Sequence, residues 1–116
     1  MRRGDLYWAQ LHPRSGSEQR GRRPVVILSS DGFNEVSTWR PVIVVPVPTS
    51  PRQALRGPTV VPLTGEPEVL KPTSIAICHQ ITTLDRSKLT AKLGAVSPRE
   101  MAAIERAILA ACDIGT

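Results

Sequence analysis

Eleven prolines divide this 116-residue chain into short pieces, and all but Pro98 fall ahead of residue 73. Proline lacks a backbone donor and fixes φ, so it breaks helices and confines strands to edges, first positions or bulges. The apolar pieces between the prolines are rich in β-branched residues and read as short strands. Asp5–Leu11 alternates, with Leu6 and Trp8 on one side and Tyr7, Ala9 and Leu11 on the other. Pro24–Ser29 is almost wholly apolar, which predicts a central strand. Pro41–Val47 is a third strand whose far end, carrying Pro46 and followed by Pro48, must lie at an edge or bulge. Thr59–Leu63, Ser74–Ile81 and Leu89–Val96 follow, the last bent at Gly94. Between them, Phe33–Arg40 reads as a polar connection, and Thr82–Lys88 carries a short helical turn after Asp85.

The C-terminal segment changes period. Ser97 is an N-cap, Pro98 takes the first helical position, and Glu100 completes a Ser-x-x-Glu capping box. Met101, Ile104, Ile108 and Ala111 recur at helical spacing and form an apolar stripe, with Arg99, Ala103 and Arg106 toward solvent. Gly115 supplies the stop. The expected fold class is mainly β with a C-terminal helix, a small curled antiparallel sheet or barrel in one domain over residues 1–116.

Lys plus Arg number 15 against 10 Asp plus Glu, a net charge of +5, and twelve of the cations are arginine. Arginine's planar fork matches phosphate better than a lysine point charge, so the balance favours nucleic acid or an acidic protein as partner. Only Tyr7, Trp8, Phe33 and Trp39 are aromatic, too few for an RNA-stacking platform built from several rings. Cys78 and Cys112 sit in apolar settings and read as two buried, reduced thiols, with one disulfide as the alternative; ligands for a zinc site are lacking. No apolar run reaches the ~18 residues of a membrane span, and the charged start is not followed by a signal-peptide core. A cytoplasmic protein is expected.

Candidate chemistry gathers around Gly16–Pro24. Its glycines, serine and glutamine mark a turn-rich loop, and its arginines face a single acid, Glu18. The strand that follows fixes the loop's end, so Arg23 is held more firmly than Arg20 or Arg22. A positioned cation near a carboxylate suits a phosphodiester, while a solvated Arg-rich hairpin loop is the competing reading. No phosphate-binding glycine loop and no paired-cysteine motif is present. His12, ahead of Pro13, is expected to face solvent, and His79 is expected to be half-buried on a strand.

Gly4-Asp5-Leu6-Tyr7-Trp8, Gly16-Ser17-Glu18-Gln19, Arg22–Ser29, Val44–Ser50, Leu70–Ser74, Gln80–Asp85 and the closing helix together resemble the MazF/PemK (Kid) toxins, in the same order along nearly the whole chain. The resemblance implies a small SH3-like barrel that dimerises and cuts single-stranded RNA at short sequences without metal or other cofactor. The substrate's own 2′-hydroxyl attacks the adjacent phosphate, leaving a 2′,3′-cyclic phosphate and a 5′-hydroxyl. It also implies a cognate antitoxin whose acidic, disordered tail covers the RNA site. Carried over residue by residue, the catalytic positions fall on Arg23 and Thr49, with Glu18 the nearest carboxylate. RNA-binding positions fall on Ser17, Gln19, Ser50, Ser74 and Gln80. Arg23 can fork donors onto the phosphate oxygens where charge builds, and Thr49 can orient the phosphate. For Glu18 the choices are proton removal, reading of a base edge, or a surface ion pair with Arg20 or Arg22.

His12 stands where the family commonly has an acid before the proline, and no aspartate at Thr73 or Cys78 matches the Kid branch, which favours the MazF arrangement. A non-catalytic toxin of the same barrel, similar to the gyrase poison CcdB, is the alternative function. A homodimer is further expected to cover an edge strand such as Val42–Val47.

Overall fold

The computed structural model describes residues 1–12, 21–49, 57–64, 70 and 74–115. Among them run β1 (Asp5–Leu11), β2 (Gly21–Ile27), α1 (Asp31–Asn34), β3 (Pro41–Pro46), β4 (Val60–Pro62), β5 (Ile75–Ile77), β6 (Thr82–Asp85), β7 (Leu89–Ala95) and α2 (Pro98–Cys112). Five strands form an antiparallel sheet in the order β6-β3-β2-β1-β7, and β4 pairs with β5 in a separate two-stranded ladder. The fold is thus mainly antiparallel β with a C-terminal helix. No helix among the described residues is long and apolar enough to cross a membrane.

Side-chain alternation divides the core. Leu6, Val26, Val45 and Val47 face Ile104 and Ala107 of α2, joined by Val61 and Leu63 beside the small ladder. Ala9, Leu11, Val25, Ile27, Val42 and Val44 form a second cluster, partly covered by Met1, Tyr7, Leu84 and Leu89. The apolar β2 is the middle strand, as its composition predicts. Pro46 pairs with Val25 on one side, whereas β6 extends only to Val44 on the other, so the proline's missing donor lies where the ladder has ended. The strand β3 itself is internal; the sheet's edges are β6 and β7, which corrects the expectation of an edge at Val42–Val47. Near the expected bend at Gly94, the β1–β7 register slips between Leu6 and Tyr7, leaving Leu93 as the extra residue.

The helix start is as read. Ser97 Oγ accepts the Glu100 N–H at 3.1 Å, and Glu100 Oε1 accepts the Ser97 N–H at 3.0 Å. Its end differs. Asp113, with φ +54°, takes the left-handed position, and the Ile114 N–H reaches the Leu109 carbonyl at 2.9 Å, two residues before Gly115 could act. Ala103 packs against the core rather than solvent, Ala107 is buried and Ala111 is exposed, because the helix rests on a broad sheet rather than a narrow seam.

Three further segments depart from expectation. Residues 74–81 are not one strand: β5 stops at Ile77 and Cys78–Gln80 forms a 3-10 turn. Its partner β4 begins at Val60 after a turn at Gly57, so beyond the Cys78 N–H to Thr59 carbonyl bond of 2.9 Å there is no strand to pair with. The helix α1, capped by the Ser30 hydroxyl, begins before the Phe33–Arg40 connection and runs into its first two residues, and Arg86 donates to the carbonyls of Trp39, Asn34 and Val36 at 2.9, 3.1 and 3.1 Å. Ahead of the Arg86–Lys88 turn, Thr82–Asp85 is a strand. Cys78 is buried, and burial pushes its thiol up to about 11, but Cys112 is exposed on the last turn of α2; both are free.

Candidate functional site

The strand β2 begins at Gly21, so Arg22 and Arg23 belong to the sheet rather than to the loop. Arg23 pairs with Ala9 of β1 and is exposed at the tip of the strand. On its other flank the β2–β3 register continues past Val25 and Pro46, because the Val47 N–H donates to the Pro24 carbonyl at 2.8 Å. One step further along the same register lie Arg23 and Pro48, the residue before Thr49. There the chain leaves β2 and crosses to the small ladder. Thr49 bridges Ser74, the Ile75 N–H donates to the Pro48 carbonyl at 3.0 Å, and the Leu63 N–H donates to the Ser74 carbonyl at 3.0 Å.

The start of β2, the exit from β3 and the entry to β5 therefore meet at one end of the sheet. Thr49 is exposed, whereas Ser74 is 3% exposed and acts there mainly through its backbone. Gln80 lies half-buried on the 3-10 turn that leads into β6 and packs against β3. The remaining candidates, Ser17, Glu18, Gln19 and Ser50, lie outside the described residues.

Among the described residues the ion pairs join Arg2 to Asp31, Arg3 to Glu105, Arg40 to Asp85 and Lys92 to Asp5. Neither Arg22 nor Arg23 takes part in these pairs among the described residues. Among these acids Asp85 shows the largest downward pKa shift. A hydrogen bond from Arg40, at 3.0 Å, and further bonds from Ser87 hold its carboxyl well below the usual range. It braces β6 against the residue preceding β3, away from the Arg23 end. No group of three or more His, Cys, Asp or Glu side chains among the described residues could hold a metal ion.

Two contacts were not anticipated from sequence. The Arg22 guanidinium lies over the Trp8 ring, 4.3 Å from its centroid. The hairpin register contains the signal: Trp8 sits opposite Pro24, and Arg22 is two residues along on the same face. His79 is exposed on the 3-10 turn, not half-buried on a strand, and its Nδ1 lies 2.9 Å from the Thr59 hydroxyl. His12 is exposed, as expected.

A family model described as PemK-like, MazF-like toxin of type II toxin–antitoxin system matches residues 2–111. The endoribonuclease MazF of Staphylococcus saprophyticus is 39% identical over 108 residues, covering 93% of this chain and 88% of that protein. Among solved structures, an endoribonuclease in complex with its cognate antitoxin from a mycobacterial species superposes with a TM-score of 0.77 at 27% identity, covering 100% of this chain and 98% of the other. MazF from Deinococcus radiodurans shares the fold with a TM-score of 0.79 at 24% identity, covering 98% of this chain and 97% of the other.

Proposed function

The chain belongs to the PemK-like, MazF-like toxins of type II toxin–antitoxin systems and is an endoribonuclease; we propose that it cuts single-stranded RNA, without metal, by attack of the substrate's 2′-hydroxyl on the adjacent phosphate. The observation that carries this mechanism is the meeting of Arg23 and the Pro48–Thr49 exit at one end of the sheet, within a family match over residues 2–111.

Arg23 forks N–H donors onto the non-bridging oxygens of the scissile phosphate. Charge accumulates there in the five-coordinate state, so the interaction strengthens along the reaction coordinate and lowers the barrier. Its planar fork of donors suits Arg23 to electrostatic stabilisation of the phosphate rather than to proton transfer. The Thr49 hydroxyl hydrogen-bonds the phosphate and sets the line between the 2′-oxygen and the departing 5′-oxygen. Glu18, on the preceding loop, is assigned to removal of the 2′-proton or to a base edge. Ser17, Gln19, Ser50 and Gln80 belong to the RNA-binding surface, while Ser74, whose side chain is buried, supports it by bridging Thr49 through its backbone. The 2′-oxygen–phosphorus bond forms as the phosphorus–5′-oxygen bond breaks, and the departing 5′-oxygen takes a proton from water, leaving a 2′,3′-cyclic phosphate and a 5′-hydroxyl.

The net charge of +5 supports two acidic partners at this surface, RNA and the tail of a cognate antitoxin. We also assign a homodimer, in which a second copy would cover exposed apolar side chains such as Phe33, Trp39, Ile43, Ile81 and Leu109. The cytoplasm, where messenger RNA is found, is the proposed compartment. The test is to map the 5′ ends of RNA incubated with the purified protein in excess chelator. Cuts at a recurring short sequence bearing 5′-hydroxyls are expected. Cleavage abolished by chelator, or 5′-phosphate products, would overturn the mechanism, and intact RNA with arrested DNA gyrase would favour the non-catalytic alternative.

A further inference from the structure

Arg22 precedes Arg23 on β2, yet strand alternation sends the two side chains to opposite faces of the sheet. Arg23 shares the face of Ala9 and Val25; Arg22 shares that of Trp8 and Pro24. Both arginines are exposed, and neither belongs to the ion pairs of the described residues. What sets Arg22 apart is its seat. Its guanidinium lies over the half-buried Trp8 ring at 4.3 Å, and the Trp8 strand is held at this point by pairing with Pro24 and Ala91 and by the Thr90 hydroxyl on the Trp8 carbonyl at 3.3 Å. Stacking on an indole covers one face of the cation. The N–H donors lie in the guanidinium plane, and among the described residues none is engaged in an ion pair.

We propose that Arg22, held flat by Trp8, is a second phosphate clamp that grips the RNA backbone one or more nucleotides away from the scissile phosphate. The proposal rests on the RNA-cutting function above. Two guanidiniums leaving opposite faces of adjacent residues, whose Cα atoms are about 3.8 Å apart, are too divergent to share one phosphate in an extended strand. A flexible single strand passing over the tip of β2 meets both in turn. On the β3 side the chain has left β2 by Thr49, which bridges Ser74 instead. Pre-stacking lowers the entropy of ordering a long side chain on binding, so Trp8 is a positioning residue for the clamp. A backbone clamp carries no sequence information: it sets register and residence time, leaving base reading to the loops.

The test uses the full chain and two probes: a single strand containing the mapped cut sequence, and its fully 2′-O-methylated analogue, which cannot supply the attacking hydroxyl. At about 0.1 M salt, Arg22→Gln is expected to weaken binding of the analogue roughly tenfold and to reduce the slope of log affinity against log salt by about 0.7, the value for one lost single-strand phosphate contact. On cleavable RNA the loss should be read in KM rather than kcat. Trp8→Leu should weaken binding a few-fold while keeping the salt slope, and Trp8→Phe, which keeps an aromatic face, should restore most of it. Wild-type affinity and slope in Arg22→Gln would overturn the clamp, leaving a purely structural stack, as would a loss confined to kcat. A loss of affinity for an acidic peptide with RNA binding kept would overturn it in favour of a protein partner. Wild-type protein that neither binds nor cuts RNA would instead overturn the underlying function.

Discussion

Replacing Ile104 by alanine removes the side chain that fastens α2 to the sheet. Ile104 is fully buried among Leu6, Val26, Val45, Leu63 and Ala107, so the truncation leaves a cavity between two rigid layers. Such changes cost about 2–5 kcal/mol, the transfer term plus the cavity term, and a helix packed on a flat sheet has little freedom to collapse inward. Taking ~3 kcal/mol, and an unfolding entropy of about 2.1 cal/mol/K per residue, the midpoint falls by roughly 12 °C. Ile104→Val removes one methyl and should cost about 1 kcal/mol, or ~4 °C. Arg106→Ala, on an exposed position of the same helix, should move the midpoint by only ~2 °C or less. Calorimetry at a single fixed protein concentration reads all three, since association would otherwise shift the midpoint. If Ile104→Ala cost no more than Ile104→Val, α2 would not be docked through this side chain. The 78–80 turn, which packs on α2, would then need another brace.

Further outcomes follow from the same structure. Asp85 has a depressed folded pKa, so its stabilisation is present above its ordinary value of 3.8 and is lost as pH falls through the lower folded value. The midpoint difference between wild type and Asp85→Asn should therefore hold steady near neutrality and close in acid; a gap that widened in acid would contradict the pairing with Arg40. Burial raises the Cys78 thiol to about 11 while Cys112 is exposed, so a thiol reagent near neutral pH should label Cys112 in the native protein and Cys78 only after unfolding. Equal labelling rates would contradict the burial. Arg86→Met strips the carbonyls of Asn34, Val36 and Trp39 of their donors, and hydrogen exchange should quicken in residues 31–40 before it does in β2. Unchanged exchange there would show that α1 holds its place without the arginine.

Much of this architecture could be read from residues with a single physical meaning. The Ser97-Pro98-x-Glu100 cap allows one solution, and the uninterrupted apolar run after Pro24 could only be buried on both faces. Segments whose fate depends on a partner were harder. Whether Ser74–Ile81 continues as a strand is decided by the length of β4, three residues long, and nothing within 74–81 states that. The internal position of β3 was likewise hidden, since its prolines mark an edge that exists for only two residues of its length. Asp113 in the left-handed cap competed with Gly115, and the sequence favours glycine where the helix geometry used the earlier residue. For the candidate site, motif order nominated Arg23 and Thr49, and the pairing register brings their backbones to one end of the sheet. The Arg22–Trp8 stack required both the hairpin register and the face of each strand, neither of which a lone segment provides.

The central claim is that Arg23 stabilises charge on a phosphate while the RNA supplies its own nucleophile. The most direct measurement is the single-turnover cleavage constant of Arg23→Ala against wild type, on one short oligoribonucleotide, with saturating protein and chelator present. Loss of one preorganised donor set at the developing charge predicts a fall of roughly 10²–10³-fold. A constant within threefold of wild type would contradict the assignment.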